Sequence, residues 1–142
     1  MKQEDKELLL KDLCARLPYG VKCAYFNTKD EIKVGELLTV WCKEKRVFID
    51  RLSIDYDGGD CVGVIPYLFP LSSMTEEQKK KSPFESSLLN AFIDGYIALF
   101  EDEELTVDDI FGITDWLNRN HFDYRGLIEK GLAIDATDLN IY

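Results

Sequence analysis

The chain is poor in the residues that most chemistry needs. It has one histidine, His121, and four cysteines, at 14, 23, 42 and 61, none of them forming a CxxC pair. A zinc site needs four Cys or His ligands, usually in close pairs, so this spacing is wrong for one. No GxGxxG or GxxxxGK[ST] stretch is present, which argues against a phosphate-cradling loop and nucleotide-dependent chemistry. The longest apolar candidate, residues 88–100, is interrupted by Asn90, Asp94 and Gly95 and falls short of the roughly 20 residues of a membrane-spanning helix. The N-terminus, Met-Lys-Gln-Glu-Asp-Lys-Glu, lacks the apolar core and cleavage site of a signal peptide. A cytoplasmic protein with reduced, core-packed thiols is the expectation, with no membrane partner and no cofactor.

Basic charge is scarce where acid is abundant. Residues 1–82 carry 14 acidic and 14 basic side chains, whereas residues 83–142 carry 13 acidic and 3 basic, so the net charge of −10 belongs to the second half. Phosphates would be repelled there, and nucleic acid is not expected as a partner. Lys79-Lys80-Lys81 is short and flanked by Glu76 and Glu77, too little for a nucleic-acid patch.

What is present suits one domain of 142 residues, with a 46% apolar composition that can bury a core without staples. Residues 4–17 read as a helix, with Leu9, Leu10, Leu13, Cys14 and Leu17 at helical spacing and Pro18-Tyr19-Gly20 as its stop. Residues 21–26, 36–42, 47–52 and 61–65 are short, β-branched or aromatic runs separated by turn residues. Asp57-Gly58-Gly59-Asp60 is the strongest hairpin signal, and Gly35 suggests a bulge or bend. Pro66-Tyr67-Leu68-Phe69-Pro70 reads as an extended connector. Thr75 with Gln78, or Ser73 with Glu76, fits a capping box for a helix that ends at Ser82-Pro83. Residues 85–101 carry a wide apolar stripe, and Thr106 with Asp108 and Asp109 opens a further helix. Asp123 can cap a last short helix ending at Gly131. The expected fold is therefore α+β: an N-terminal helix, a small bent antiparallel sheet of SH3-like type, then three or four C-terminal helices. Residues 1–142 make a single domain, with the helix and β-module in 1–70 and the helical part in 71–142.

Each candidate for chemistry has a plainer counterpart. His121 as a general base oriented by Asp123 would make a small hydrolase or transferase, but no nucleophile stands at a known spacing, and a helix-end histidine packs locally just as well. A Cys–His dyad finds no activated thiol in the sequence. Asp55-Tyr56-Asp57-Gly58-Gly59-Asp60 resembles half a calcium loop, but the twelfth position, where a carboxylate belongs, is Pro66. Glu101-Asp102-Glu103-Glu104, with Asp108 and Asp109, is either a solvated face or a mimic of a phosphate backbone that inhibits a DNA-handling protein. Tyr67, Phe69, Trp116, Phe122 and Tyr124 are either interface anchors or a plug between strands and helices, and the plug is the favoured reading. No catalytic, cofactor or metal residue is assigned. The candidate interaction residues are Glu101, Asp102, Glu103, Glu104, Asp108, Asp109, Trp116, His121 and Tyr124. The leading expectation, reached largely by elimination, is a non-enzymatic accessory protein whose partner is another protein.

Three stretches together resemble a known family. They are Leu13-Cys14-Ala15-Arg16-Leu17-Pro18-Tyr19-Gly20-Val21, Ile65-Pro66-Tyr67-Leu68-Phe69-Pro70-Leu71-Ser72-Ser73-Met74-Thr75-Glu76-Glu77, and Asp115-Trp116-Leu117-Asn118-Arg119-Asn120-His121-Phe122-Asp123-Tyr124-Arg125-Gly126-Leu127-Ile128-Glu129-Lys130-Gly131-Leu132-Ala133. The family consists of small proteins of uncharacterised activity, common in gut Bacteroidetes and in their phages and mobile elements. The likeness covers most of the chain and implies a bacterial or phage intracellular accessory protein. It brings no activity, ligand or catalytic residue with it. Residues 23–63 depart most from the pattern, and any individual specificity is expected there.

Overall fold

The computed structural model describes residues 1–26, 31–50, 52–55, 63–94 and 106–142. It is a mixed α/β structure in which a sheet of several strands is joined by four α-helices. The turn at 27–30, the Asp57–Asp60 hairpin signal, Cys61 and the acidic run Glu101–Glu104 lie outside the described residues.

Helix α1 (Gln3–Arg16) buries Leu9 and Leu13 together with Asp12 and Arg16, so its inner face is half apolar and half ionic. The chain then turns through Leu17–Tyr19, with Gly20 in the left-handed conformation, into β1 (Lys22–Phe26). A meander follows: β2 (Ile32–Trp41), β3 (Arg46–Ile49) and β4 (Leu52–Asp55), each antiparallel to the strand before it. The run read as one strand over 47–52 is split, because Asp50 takes a φ of 54° between the partners Ile49 and Leu52 and turns the chain back. Asp tolerates that left-handed turn position.

Strand β2 serves two neighbours. Its first half, from Ile32 to Glu36, pairs with β1, and its second half, from Leu37 to Trp41, pairs with β3. The irregularity expected at Gly35 lies further on, where the register shifts between Leu37 and Thr39. Gly35 serves close approach instead: a Cβ there would stand 2.5 Å from Ile49 Cγ2 and 2.6 Å from Asp50 Oδ2.

The segment read as a connector is strand β5 (Ile65–Pro70), and it lies in the interior of the strand order β4-β3-β2-β1-β5-β6. It pairs antiparallel with β1 at Ile65 and Pro66, and parallel with β6 (Phe122–Asp123) and β7 (Ile134–Asp135). Two prolines argue against an interior strand because they lack the ladder donor. The bonds here avoid that problem: Phe69 N–H donates to the His121 carbonyl at 2.9 Å, and the Leu68 carbonyl accepts from Ala136 N–H at 2.8 Å.

Helices α2 (Glu76–Lys81) and α4 (Val107–Arg119) follow the sequence signals closely, whereas α3 (Ser86–Ile93), expected over 85–101, ends with Asp94 as its C-cap. Thr75 with Gln78 and Thr106 with Asp109 both form complete capping boxes. Ser73 does not compete, since its hydroxyl donates to the Pro70 carbonyl. The part of the long apolar stripe beyond Asp94 lies outside the described residues.

The last helix expected, 123–131, is reduced to one turn. The buried Asp123 carboxylate accepts from Leu127 N–H (3.0 Å) and Ile128 N–H (2.8 Å). Leu132 N–H reaches the Leu127 carbonyl, and Gly131 N–H reaches that of Ile128, with Gly131 at a φ of 71°. That pattern is a Schellman cap, so start and stop signals are both used with almost no helix between them.

One apolar cluster lies between α1 and the meander, centred on Leu9, Leu13, Leu37, Ile49 and Leu68. A second joins α3, α4 and β6 through Leu89, Ile113, Leu117 and Phe122. A small third one, around Ala24, Tyr67 and Ala136, lies at β1, β5 and the segment after β7.

Candidate functional site

Four of the five aromatic candidates, Phe69, Trp116, Phe122 and Tyr124, converge on the second cluster, whereas Tyr67 belongs to the third. Trp116 stacks on Phe122 at 6.0 Å between ring centroids, and Phe69 approaches Phe122 at 6.2 Å. Tyr124 meets Phe92 edge-on at 6.3 Å and carries the Arg125 guanidinium over its face at 4.3 Å. Burial raises the Tyr124 phenol above its ordinary range, against the pull of Arg125 and of a hydrogen bond with Asn118. These rings fill the seam between strands and helices. Asp109 is engaged in the cap of α4, where its Oδ2 accepts from Thr106 N–H at 2.9 Å. Asp108 sits beside it, exposed, in the first turn.

His121 lies at the junction of α4 and β6 with a φ of 61°. Its ring is stacked on Tyr142, with centroids 3.9 Å apart and planes 12° from parallel. Burial, and secondarily the charge of Arg16, lowers its pKa to about 4, so the imidazole is neutral at pH 7. Nδ1 is buried without a hydrogen-bond partner. Tyr142 is held in turn: its hydroxyl donates to the Tyr67 carbonyl (2.8 Å) and accepts from Lys22 N–H (3.0 Å), while Lys22 Nζ donates to the Ile141 carbonyl. The expected orienting residue, Asp123, is committed to the backbone of Leu127 and Ile128.

Behind this junction is a buried ionic knot that the sequence did not announce. Arg16, fully buried, donates through Nε to Asp12 Oδ2 (2.8 Å) and through Nη2 to the Phe122 carbonyl (2.7 Å). Asp12, also fully buried, takes a second cation, Arg125, on Oδ1 at 2.9 Å. Spacing of i,i+4 on a helix reads as an ordinary exposed pair, so nothing local marks it as buried.

The meander offers a different surface. On β2, Gly35 and Leu37 face the core while Ile32 (66% exposed), Val34 (46%), Leu38 (52%) and Trp41 (47%) face outward. Glu36, also exposed, interrupts this row between Val34 and Leu38, and the register shift between Leu37 and Thr39 turns Trp41 outward while Val40 packs on the core. Trp41 is braced by Phe48, whose ring stands edge-on at 4.9 Å. At the Ile32 end the row meets a cleft of about 200 Å³ lined by Ala24, Tyr25, Phe26, Ile32, Gly63, Ile65 and Ile134. Apolar residues on both faces of a strand ordinarily mean burial on both sides, so the sequence points to the stretch 23–63 as a whole and to no residue of this row.

Two of the cysteines meet. Cys14 on α1 and Cys42 after β2 are exposed, with Sγ atoms 3.9 Å apart, whereas Cys23 is buried in the core. No group of three or more His, Cys, Asp or Glu side chains suited to a metal occurs among the described residues, and no described helix is long and apolar enough to cross a membrane. Comparison with protein-family models, curated proteins and solved structures gives no match.

Proposed function

We propose that the protein is a non-enzymatic protein-binding module whose contact surface is the outward face of β2. The observation that carries this reading is the row Ile32, Val34, Leu38 and Trp41 running into the adjoining cleft. Singly exposed apolar residues are ordinary, but four on one strand, broken by Glu36 and ending at a recess, are the pattern of an interaction site. At about 200 Å³ the cleft is below the roughly 300–1,000 Å³ of small-molecule pockets. It suits one apolar side chain of a protein partner, with the row taking the apolar face of the same amphipathic segment. We read the bent β1–β4 meander as an SH3-like module that displays this face. An accessory role in the bacterial or phage cytoplasm fits the family likeness. It also fits the position of the face in residues 23–63, the stretch that departs most from that family.

The test compares wild type with an Ile32→Lys/Leu38→Lys variant, both tagged, as baits in extract of the native host at low and high salt. Capture of one defined protein by wild type at both salts, lost in a variant with unchanged circular dichroism, is the expected result. Equal capture by both baits sinks the assignment of this face. Capture that disappears at high salt and is indifferent to the variant favours the acidic inhibitor reading through residues 101–109, because exposed charge is screened.

A further inference from the structure

The contact between α1 and the end of β2 contains a pair of thiols that no part of the binding face uses. Cys14 and Cys42 are separated by 28 positions in sequence but by 3.9 Å between sulfurs, and both are exposed. A disulfide requires about 2.0 Å between sulfurs, so the two have about 2 Å left to close. We propose that Cys14 and Cys42 form a reversible redox site that a low-molecular-weight disulfide of the glutathione type converts into an intramolecular cross-link. This rests on the sulfur geometry alone and is independent of the binding reading above.

The order of events follows from the surroundings. Cys42 opens the exposed turn 42–45, where Lys43 and Lys45 outweigh Glu44 and favour an anionic reagent. Its thiolate attacks one sulfur of the reagent. The reagent's S–S bond breaks, one reagent thiolate leaves, and Cys42 becomes a mixed disulfide. Cys14 is the resolving group. Its thiol is pushed up to about 11, first by partial burial and then by its hydrogen bond and charge interaction with Cys42. The mixed disulfide removes those last two causes, so Cys14 gives up its proton more easily once Cys42 has reacted. Its sulfur then attacks Cys42 Sγ, and the second reagent thiolate departs. The protein loses two electrons and two protons, and the reagent takes them up as two thiols. Cys23 stays out of the exchange because complete burial pushes its thiol far up. In a reducing compartment such a bond is transient, as befits a switch that ties the C-terminal turn of α1 to the residue after Trp41.

The experiment treats the full chain with oxidised glutathione, followed by intact mass and non-reducing peptide mapping. Wild type should lose about 2 Da, the mass of two hydrogens, through one Cys14–Cys42 linkage that dithiothreitol reverses. A Cys23→Ser/Cys61→Ser variant should behave identically. Cys14→Ser should stop as a glutathione adduct on Cys42 that no longer resolves. The proposal is overturned if wild type ends as separate adducts on Cys14 and Cys42, if the linkage maps to Cys61, or if the bond joins two chains.

Discussion

Arg16 and Asp12 illustrate how much can hang on two side chains. Both are fully buried, and Asp12 is the shared anion for Arg16 and Arg125. Removing one partner of a buried pair strands the other in a medium that solvates it poorly. Asp12→Ala should therefore cost about 3–5 kcal/mol in urea unfolding, whereas Lys81→Ala, which breaks an exposed pair with Glu77, should cost well under about 1 kcal/mol. His121 gives a pH dependence. The imidazole titrates near 6.5 when unfolded and near 4 when folded, so between those values the unfolded chain binds more protons. Stability from this group is complete above pH 6.5 and is lost as the pH falls toward 4. His121→Asn keeps a residue suited to the positive φ and removes the titration. Thermal melts of the two proteins from pH 7 to pH 4 should converge as acid is added. Neither site was visible in the sequence as what it is. A lone histidine was noticed, but its ceiling, Tyr142, comes from a segment that carries no local signal.

Among the elements, those specified by neighbours in sequence were legible and those specified from a distance were not. The capping box of α2 at Thr75 and Gln78 and the cap of α4 at Thr106 are legible because a cap is complete within four residues, although Asp109 reads only as a first-turn charge and not as the partner of Thr106. Thr106→Ala should cost about 0.5–2 kcal/mol and shorten α4 from its first turn, measurable by amide exchange. Strand β5 was missed because its two prolines look like a break, while its pairing with β6 and β7 is decided more than 50 residues later in the chain. On β2 the glycine at 35 was noticed and its reason misjudged. What forbids a side chain is the contact with Ile49 and Asp50. Gly35→Ala should destabilise by about 1–3 kcal/mol through overpacking, and guanidinium titration of that variant would show it. The exposed row on β2 was illegible on principle, since alternation shows that a strand has two faces without showing which of them is covered.

For the molecule as a whole, strand β5 and the tail join the parts. Tyr142 is bonded to the backbone of both β1 and β5 and lies against His121. Tyr142→Phe, which keeps the ring and removes both hydrogen bonds, should lower stability by about 1–3 kcal/mol in thermal unfolding without altering capture by the β2 face. The fold class was recoverable from composition and turn signals. The arrangement was not, because Arg16 reaches a carbonyl 106 positions away. That span sets a timetable for synthesis. As the ribosome delivers the chain, α1 and the meander emerge with their own contacts at hand, but the guanidinium of Arg16 has no protein carbonyl to meet until Phe122 appears. Until then it must remain hydrated, and α1 cannot seat fully on the sheet. Nascent chains arrested ahead of Phe122 should be cut readily by protease within α1, and chains carrying the segment through Ala136 should resist.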